Sequence, residues 1–265
     1  MVNPSCDQPY LWARPPFKSY AVLPWGRALR PYRNQADQVL EVSATLTDEQ
    51  KMVSELFDDK ISSLGFSILF LTLSRGLSVE QFVQLDYAVN VAAFDTMITI
   101  WANKRHYDAV RPFSAIRYLY GDEELVAWGG PGQGTVDDIL SSEWRPYLQS
   151  ANHPEYPSAS ASFCRAHATA ATLYMGGDNS LGWQVPYPAG SSVVEPGITP
   201  AQDIVLSYDT WDDFSHDCGI SRLWAGVHFY DSIPAGQALG DPIGQRAYEF
   251  VDAHIRGDRD AIEEF

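Results

Sequence analysis

From about Thr47 onward, apolar residues recur at intervals of three and four between short polar caps, and strict alternation of apolar and polar positions is almost absent. Thr47-Asp-Glu-Gln50 reads as a capping box opening a helix to about Asp59, and Ser78-Val-Glu-Gln81 as a second, opening a long helix to about Asn103. Ser62 to Arg75, between them, predicts a buried helix stopped by Gly76. Ala159 to Met175, rich in small residues, predicts a helix stopped by Gly176-Gly177. Thr199-Pro200-Ala201-Gln202 predicts a helix to about Cys218, and Ser232-Ile-Pro234 opens a last one ending near Gly257. Gly129-Gly-Pro-Gly-Gln-Gly134 reads as a plain connection, because no strand precedes it and no Gly-Lys-Ser/Thr follows. Asp178 to Thr199 is a Gly/Pro/Ser-rich loop long enough to be a lid or a partner contact. The fold class predicted is all-α, a single helical domain over residues 46–265.

Residues 1–45 have a different texture. Prolines and rings (Pro9, Trp12, Pro15, Pro16, Phe17, Pro24, Trp25, Pro31, Tyr32) predict an extended arm that packs through its aromatic side chains. Such rings are costly to leave in water, so the arm is expected to wrap its own bundle or a second subunit, with a homodimer as the expected assembly.

Composition narrows the chemistry. A net charge of −16 over 265 residues disfavours nucleic acid and anionic lipid as partners. The longest apolar stretch, Leu64 to Leu73, is too short to span a bilayer, and no secretory signal is visible at Met1-Val-Asn-Pro-Ser-Cys6, so a soluble protein of unassigned compartment is expected. Cys6, Cys164 and Cys218 form an odd set without CxxC spacing and read as buried or free thiols.

Against so acidic a background, cations at fixed spacing are informative. Lys104 and Arg111 lie seven residues apart, about two helical turns. Pro112 pushes Arg111 toward extended backbone, so Arg111 is expected to leave the helix end and turn back. Ser158 follows Pro157 and precedes a helix, where a hydroxyl and the first free N–H groups both suit an anion; alone, it is an ordinary N-cap. Arg222 and His228, six apart, would stand about 240° around one helix, so both reach one ligand only if Arg222 lies at or before a helix start. Three cations, a hydroxyl and an imidazole are the makings of an oxyanion pocket.

Lys104-x6-Arg111-Pro112, Pro157-Ser158-Ala159-Ser160 and Ser221-Arg222-x5-His228, in this order, resemble the three-part signature of the vanadium-dependent haloperoxidases and the related type 2 phosphatidic-acid phosphatases and bacterial acid phosphatases. His153-Pro-Glu-Tyr-Pro157 tilts the resemblance toward the haloperoxidases. The resemblance implies a helical bundle of that type and vanadate as cofactor, with phosphate able to occupy the same pocket. It also implies that Lys104, Arg111, Arg222, Ser158 and the Ala159 N–H hold the oxyanion and that His228 is the single protein ligand to vanadium. Vanadate would act as a Lewis acid toward hydrogen peroxide, which halide or a small organic acceptor then attacks.

One position departs from that pattern. The family has Pro-Ser-Gly-His, whose histidine is the acid–base residue, and this chain has Ser160 there. A hydroxyl does not titrate near neutrality, and losing a positioned acid–base group typically removes ~10²–10⁴ in rate. His153, acting directly or through a water held by Ser160, is the expected substitute. The alternatives are a phosphoesterase with His228 as nucleophile and a non-catalytic oxyanion-binding or assembly protein.

Overall fold

Both capping boxes form. The computed structural model describes residues 29–263 and residue 265. In it the Thr47 and Ser78 hydroxyls accept from the Gln50 and Gln81 backbone N–H groups, and each glutamine side chain returns to the cap. The helices are α1 (Leu29–Ala44), α2 (Asp48–Leu56), α3 (Phe66–Arg75), preceded by a π-helical turn Ile61–Gly65, α4 (Val79–Tyr107) and α5 (Pro112–Tyr120). The hairpin β1 (Glu124–Trp128) and β2 (Thr135–Leu140) follows, then α6 (Ala159–Tyr174), the hairpin β3 (Ser180–Tyr187) and β4 (Ile204–Thr210), α7 (Trp211–Trp224), α8 (Ser232–Arg256) and α9 (Arg259–Glu263).

Several expectations need correction, among them that no strand precedes Gly129, since β1 ends at Trp128. Residues 29–44 are helical and not part of an extended arm: Ala36, Val39, Leu40 and Ser43 are buried at helical spacing, and Pro31 sits in the first turn, where a missing N–H costs nothing. The rest of the expected arm lies outside the described residues. Four residues after Pro200 the chain enters strand β4 and not a helix, and α7 begins only at Trp211, with Thr210 and Asp213 as its capping box. The loop between β3 and β4 is tied down, since buried Glu195 accepts from Lys51 Nζ (2.7 Å), Trp128 Nε1 (3.0 Å) and Thr199 Oγ1 (2.7 Å). Cys164 and Cys218 are not thiols: they form a disulfide joining α6 to α7. In addition, α3 buries Ile68 and Leu71 but leaves Phe66, Leu69 and Leu73 exposed, so it is a half-buried helix.

α6 is the central helix, packed against α4, α7 and α8. Its alanines and serines keep it thin, and α8 answers with Gly236, Gly240 and Gly244 at the contact. A Cβ at these three positions would lie 2.4, 2.3 and 2.3 Å from the carbonyl oxygens of Ser158, Ser162 and Ala166. Two backbones therefore touch along three turns, and this contact fixes the height at which Ser158 starts α6.

His167, on α6, is buried beside Trp211 and Phe214, and burial pulls its pKa down to about 3. The unfolded chain binds this proton below about pH 6.5 and the folded chain does not, so stability is complete above that pH and drains away toward about pH 3. Between pH 7 and pH 5 urea unfolding should show a loss of about 2 kcal/mol from this residue. A His167→Gln variant should lose correspondingly less.

Candidate functional site

Lys104 lies in the last turn of α4 and Arg111 caps α5 with extended backbone (φ −77°, ψ 153°), the geometry that its following proline demands. Ser158 is the N-cap of α6, its hydroxyl accepting from the Ala161 N–H. Arg222 departs from expectation, because it sits in the last turn of α7 and not before a helix. The six-residue spacing to His228 works by another route. The chain reverses at Gly226 (φ 73°), where a Cβ would also strike Pro146, and the N–H groups of Val227 and His228 both return to the Arg222 carbonyl (3.1 and 3.2 Å). His228 is thereby folded back under the end of α7.

The structure brings Lys104, Arg111, Arg222, His228 and His153 together and ties Ser158 to them through Ser232, whose carbonyl accepts the Ser158 N–H and whose hydroxyl donates to Glu155; of the six signature residues all but His153 are buried. Arg111 is the hub: Nη1 donates to the Val227 carbonyl (2.8 Å) and faces His228 Nε2 (3.1 Å), Nε donates to the His153 carbonyl (3.0 Å), and Nη2 faces His153 Nδ1 (3.1 Å). Lys104 Nζ donates to the carbonyls of Pro154 (2.7 Å) and Glu155 (2.8 Å). Arg222 is braced on α2 by the Ser54 carbonyl (2.7 Å) and by Asp58 (3.0 Å). Ala159 and Ser160 form the half-buried first turn of α6.

Two residues with no role in the sequence reading belong to this cluster. Glu155 is buried, with Oε1 2.7 Å from His228 Nδ1 and accepting the Phe229 N–H (3.0 Å), while Oε2 accepts the Ser232 hydroxyl (2.7 Å). Burial pushes its carboxyl upward; the Ser232 and Phe229 hydrogen bonds and the charges of Lys104 and Arg111 oppose that. Lys60 donates to the Phe57 carbonyl beside Arg222, and burial together with the Arg222 charge lowers its pKa to about 7. The Glu155 signal was a carboxylate set among prolines in His153-Pro-Glu-Tyr-Pro157. Lys60 has no comparable signal in its flanking sequence.

The electrostatics all run one way. Desolvation, then the charges of Arg111, Lys104 and Arg222, hold the His228 pKa far below the usual imidazole range. Lys104 is lowered by burial and by Arg111, and His153 by burial, Lys104 and Arg111. Since an arginine only donates, its contact with His228 identifies Nε2 as the unprotonated nitrogen, with Nδ1–H donating to Glu155 Oε1. The result is a buried imidazole lone pair held among three cations, an arrangement whose charge and donors suit an anion.

Residues 84–257 match the family model VCPO second helical-bundle domain. The fold is similar to a bacterial vanadium-dependent chloroperoxidase of holo type, with a TM-score of 0.83 and 40% identity over 86% of this chain and 49% of that one. It is similar to an apo-type bacterial vanadium-dependent chloroperoxidase too, with a TM-score of 0.84 and 39% identity over 91% of this chain and 53% of that one. A bacterial vanadium-dependent iodoperoxidase, 17% identical with a TM-score of 0.60 over 82% of this chain and 48% of that one, shares the fold. No curated protein matches. The chain thus spans about half the length of the solved structures it resembles. With the signature residues gathered in one buried pocket and 40% identity over most of its length, this chain belongs to the vanadium chloroperoxidase family of helical-bundle proteins.

Proposed function

We propose that this pocket binds vanadate and serves the peroxide-dependent oxidation of a halide or a small organic acceptor. The observation that carries the reading is the line Glu155–His228–Arg111, which fixes the imidazole tautomer and presents Nε2 to the cations. The residues fit the group: Lys104, Arg111 and Arg222 neutralise its charge, the Ser158 hydroxyl and the α6 first-turn N–H groups bond its oxygens, and His228 Nε2 is the ligand. Bound vanadate supplies Lewis acidity toward peroxide without a change of metal oxidation state.

The proton chemistry falls to this chain's own side chains. Ser160 does not titrate, and with Lys104 and Glu155 engaged in holding the site, His153 and Lys60 are the two candidates compared. His153 is half-buried at the rim, and its Nδ1 already accepts from Arg111, so a proton must pass through Nε2 or a water. Burial and the Arg222 charge lower the Lys60 pKa, which makes it the second candidate to test. His153→Ala and Lys60→Met should each be compared with the parent across pH; the residue whose loss removes a limb of the rate profile is the proton carrier.

Calorimetry with vanadate and a peroxide-dependent bromination assay test the proposal together. Lys104→Ala and Arg222→Ala should weaken vanadate binding by an order of magnitude or more. Phosphate-ester turnover without peroxide would support the phosphoesterase instead, and vanadate binding without turnover the non-catalytic protein.

A further inference from the structure

The three-part signature draws on α4, α5, α6 and the chain around the end of α7, and it names no residue of α8. The first residue of α8 nevertheless reaches both sides of the site. Ser232 is 1% exposed and is bonded at both of its ends. Its carbonyl accepts the Ser158 N–H (3.0 Å), and its hydroxyl donates to Glu155 Oε2 (2.7 Å). On the other side of that carboxylate, Oε1 takes the His228 Nδ1–H (2.7 Å) and the Phe229 N–H (3.0 Å). One side chain thus stands two hydrogen bonds from the imidazole, while its own backbone holds the cap of α6.

The hydroxyl has no substitute. Glu155 is 2% exposed, and among the described residues Ser232 is the only hydrogen-bond donor to Oε2, whereas Oε1 has two. A buried carboxylate oxygen without a donor is costly, so removing the hydroxyl turns the carboxylate toward other donors, and that disturbs its bond to Nδ1. The Nδ1 bond is what keeps Nε2 unprotonated. The backbone around Ser232 has the complementary task. Ser162 Oγ bonds the carbonyls of Ser158 (3.0 Å) and Gly236 (2.8 Å), so α8 holds the cap residue from its N–H side and its C=O side together. From outside, Gln35 of α1 exchanges two hydrogen bonds with Asp231 (3.3 Å each) and anchors the start of α8. We propose that Ser232 is a positioning residue that sets the His228 imidazole and the Ser158 cap against each other, its hydroxyl acting through Glu155. The inference rests on the proposed reading of the pocket only for which anion is held there, because the arrangement of the imidazole is measured on the protein alone.

In the full chain, Ser232→Ala should move the His228 imidazole nitrogen signals from one tautomer toward a mixture of two, and Ser232→Thr, which keeps the hydroxyl, should return them. Phosphate affinity in calorimetry should fall about 10-fold in Ser232→Ala. The same change made in Glu155→Gln should cost less than about 2-fold more, because the hydroxyl acts through that carboxylate. Ser162→Ala removes a hydroxyl from the same contact of α6 with α8 without touching Glu155, so it should lower the melting temperature and leave the imidazole signals in place. Parent-like imidazole signals in Ser232→Ala would overturn the proposal even with a lowered melting temperature, since that is the result of a purely structural role. Losses in Ser232→Ala and Glu155→Gln that simply multiply would overturn it too, as would a folded Ser232→Thr that behaves like the alanine variant. Should Ser232→Thr not fold, the alanine and double variants decide alone. An imidazole that responds as expected in a chain that binds neither phosphate nor vanadate would sink the reading of the pocket and leave this positioning role standing.

Discussion

Glu155→Gln should weaken vanadate binding by 10- to 100-fold and lower peroxide-dependent turnover with it, although the residue touches no substrate. The carboxylate receives the His228 Nδ1 proton, the Phe229 N–H and the Ser232 hydroxyl, all donors. An amide offers one acceptor oxygen, and its NH₂ must face a donor. The imidazole then has no fixed tautomer, and Nε2 carries a proton for part of the time. Imidazole nitrogen chemical shifts should record this directly, which a merely structural loss would not produce. Glu155→Asp, which keeps the charge, should recover part of the affinity. Glu155→Ala goes further by leaving Lys104 and Arg111 without their buried counter-charge, and about 3–5 kcal/mol of stability should go with it. His228→Ala should abolish turnover yet leave phosphate able to raise the melting temperature, because the three cations remain.

Gly240→Ala should cost at least about 3 kcal/mol in urea unfolding, the upper end of overpacking effects. Its Cβ would lie 2.3 Å from the Ser162 carbonyl oxygen and 3.1 Å from the Ala166 nitrogen, both backbone atoms that cannot rotate away. Gly236→Ala presses on Ser158 itself at 2.4 Å, so it should lower oxyanion affinity along with stability. The control is Gly65→Ala: this glycine has helical dihedrals and open space around its Cβ position, so alanine should stabilise by up to about 1 kcal/mol. A flat response at Gly240 would mean that α6 and α8 separate more easily than their contact implies.

The helix starts at Thr47, Ser78 and Ser158 were legible because a cap is decided by side chains within three residues of it. Gly76 and Gly257, both left-handed, were legible for the same reason. What failed was long-range or masked by punctuation residues. Strand β3 does alternate, burying Leu181 and Trp183, but Gly182 and Pro186 carry the signature of a loop. Thr199-Pro200 imitates a helix start, whereas the working cap, Thr210, follows an alternating strand in which Leu206 and Tyr208 face the core. Within the cluster, the residues of the three-part signature were named through the resemblance that their order and neighbours carry, and the helical geometry expected of Arg222 was not the one found. Glu155 and Lys60 were not named, since their importance comes from which elements meet around them.

The bond between Cys164 and Cys218 also bears on chemical survival. Ser158 caps and Arg222 ends the two helices that it joins, so two elements that carry site residues are covalently linked, and closing a loop of 54 residues is worth about 4 kcal/mol against the unfolded chain. A catalyst that releases hypohalous acid, as proposed, endangers its own thiols first, because thiolate is the form most readily driven toward sulfenic and sulfinic acids. Cystine has already left that ladder at a harmless rung. The two cysteine sulfurs at the contact of α6 with α7 are therefore no longer open to that attack as thiolates.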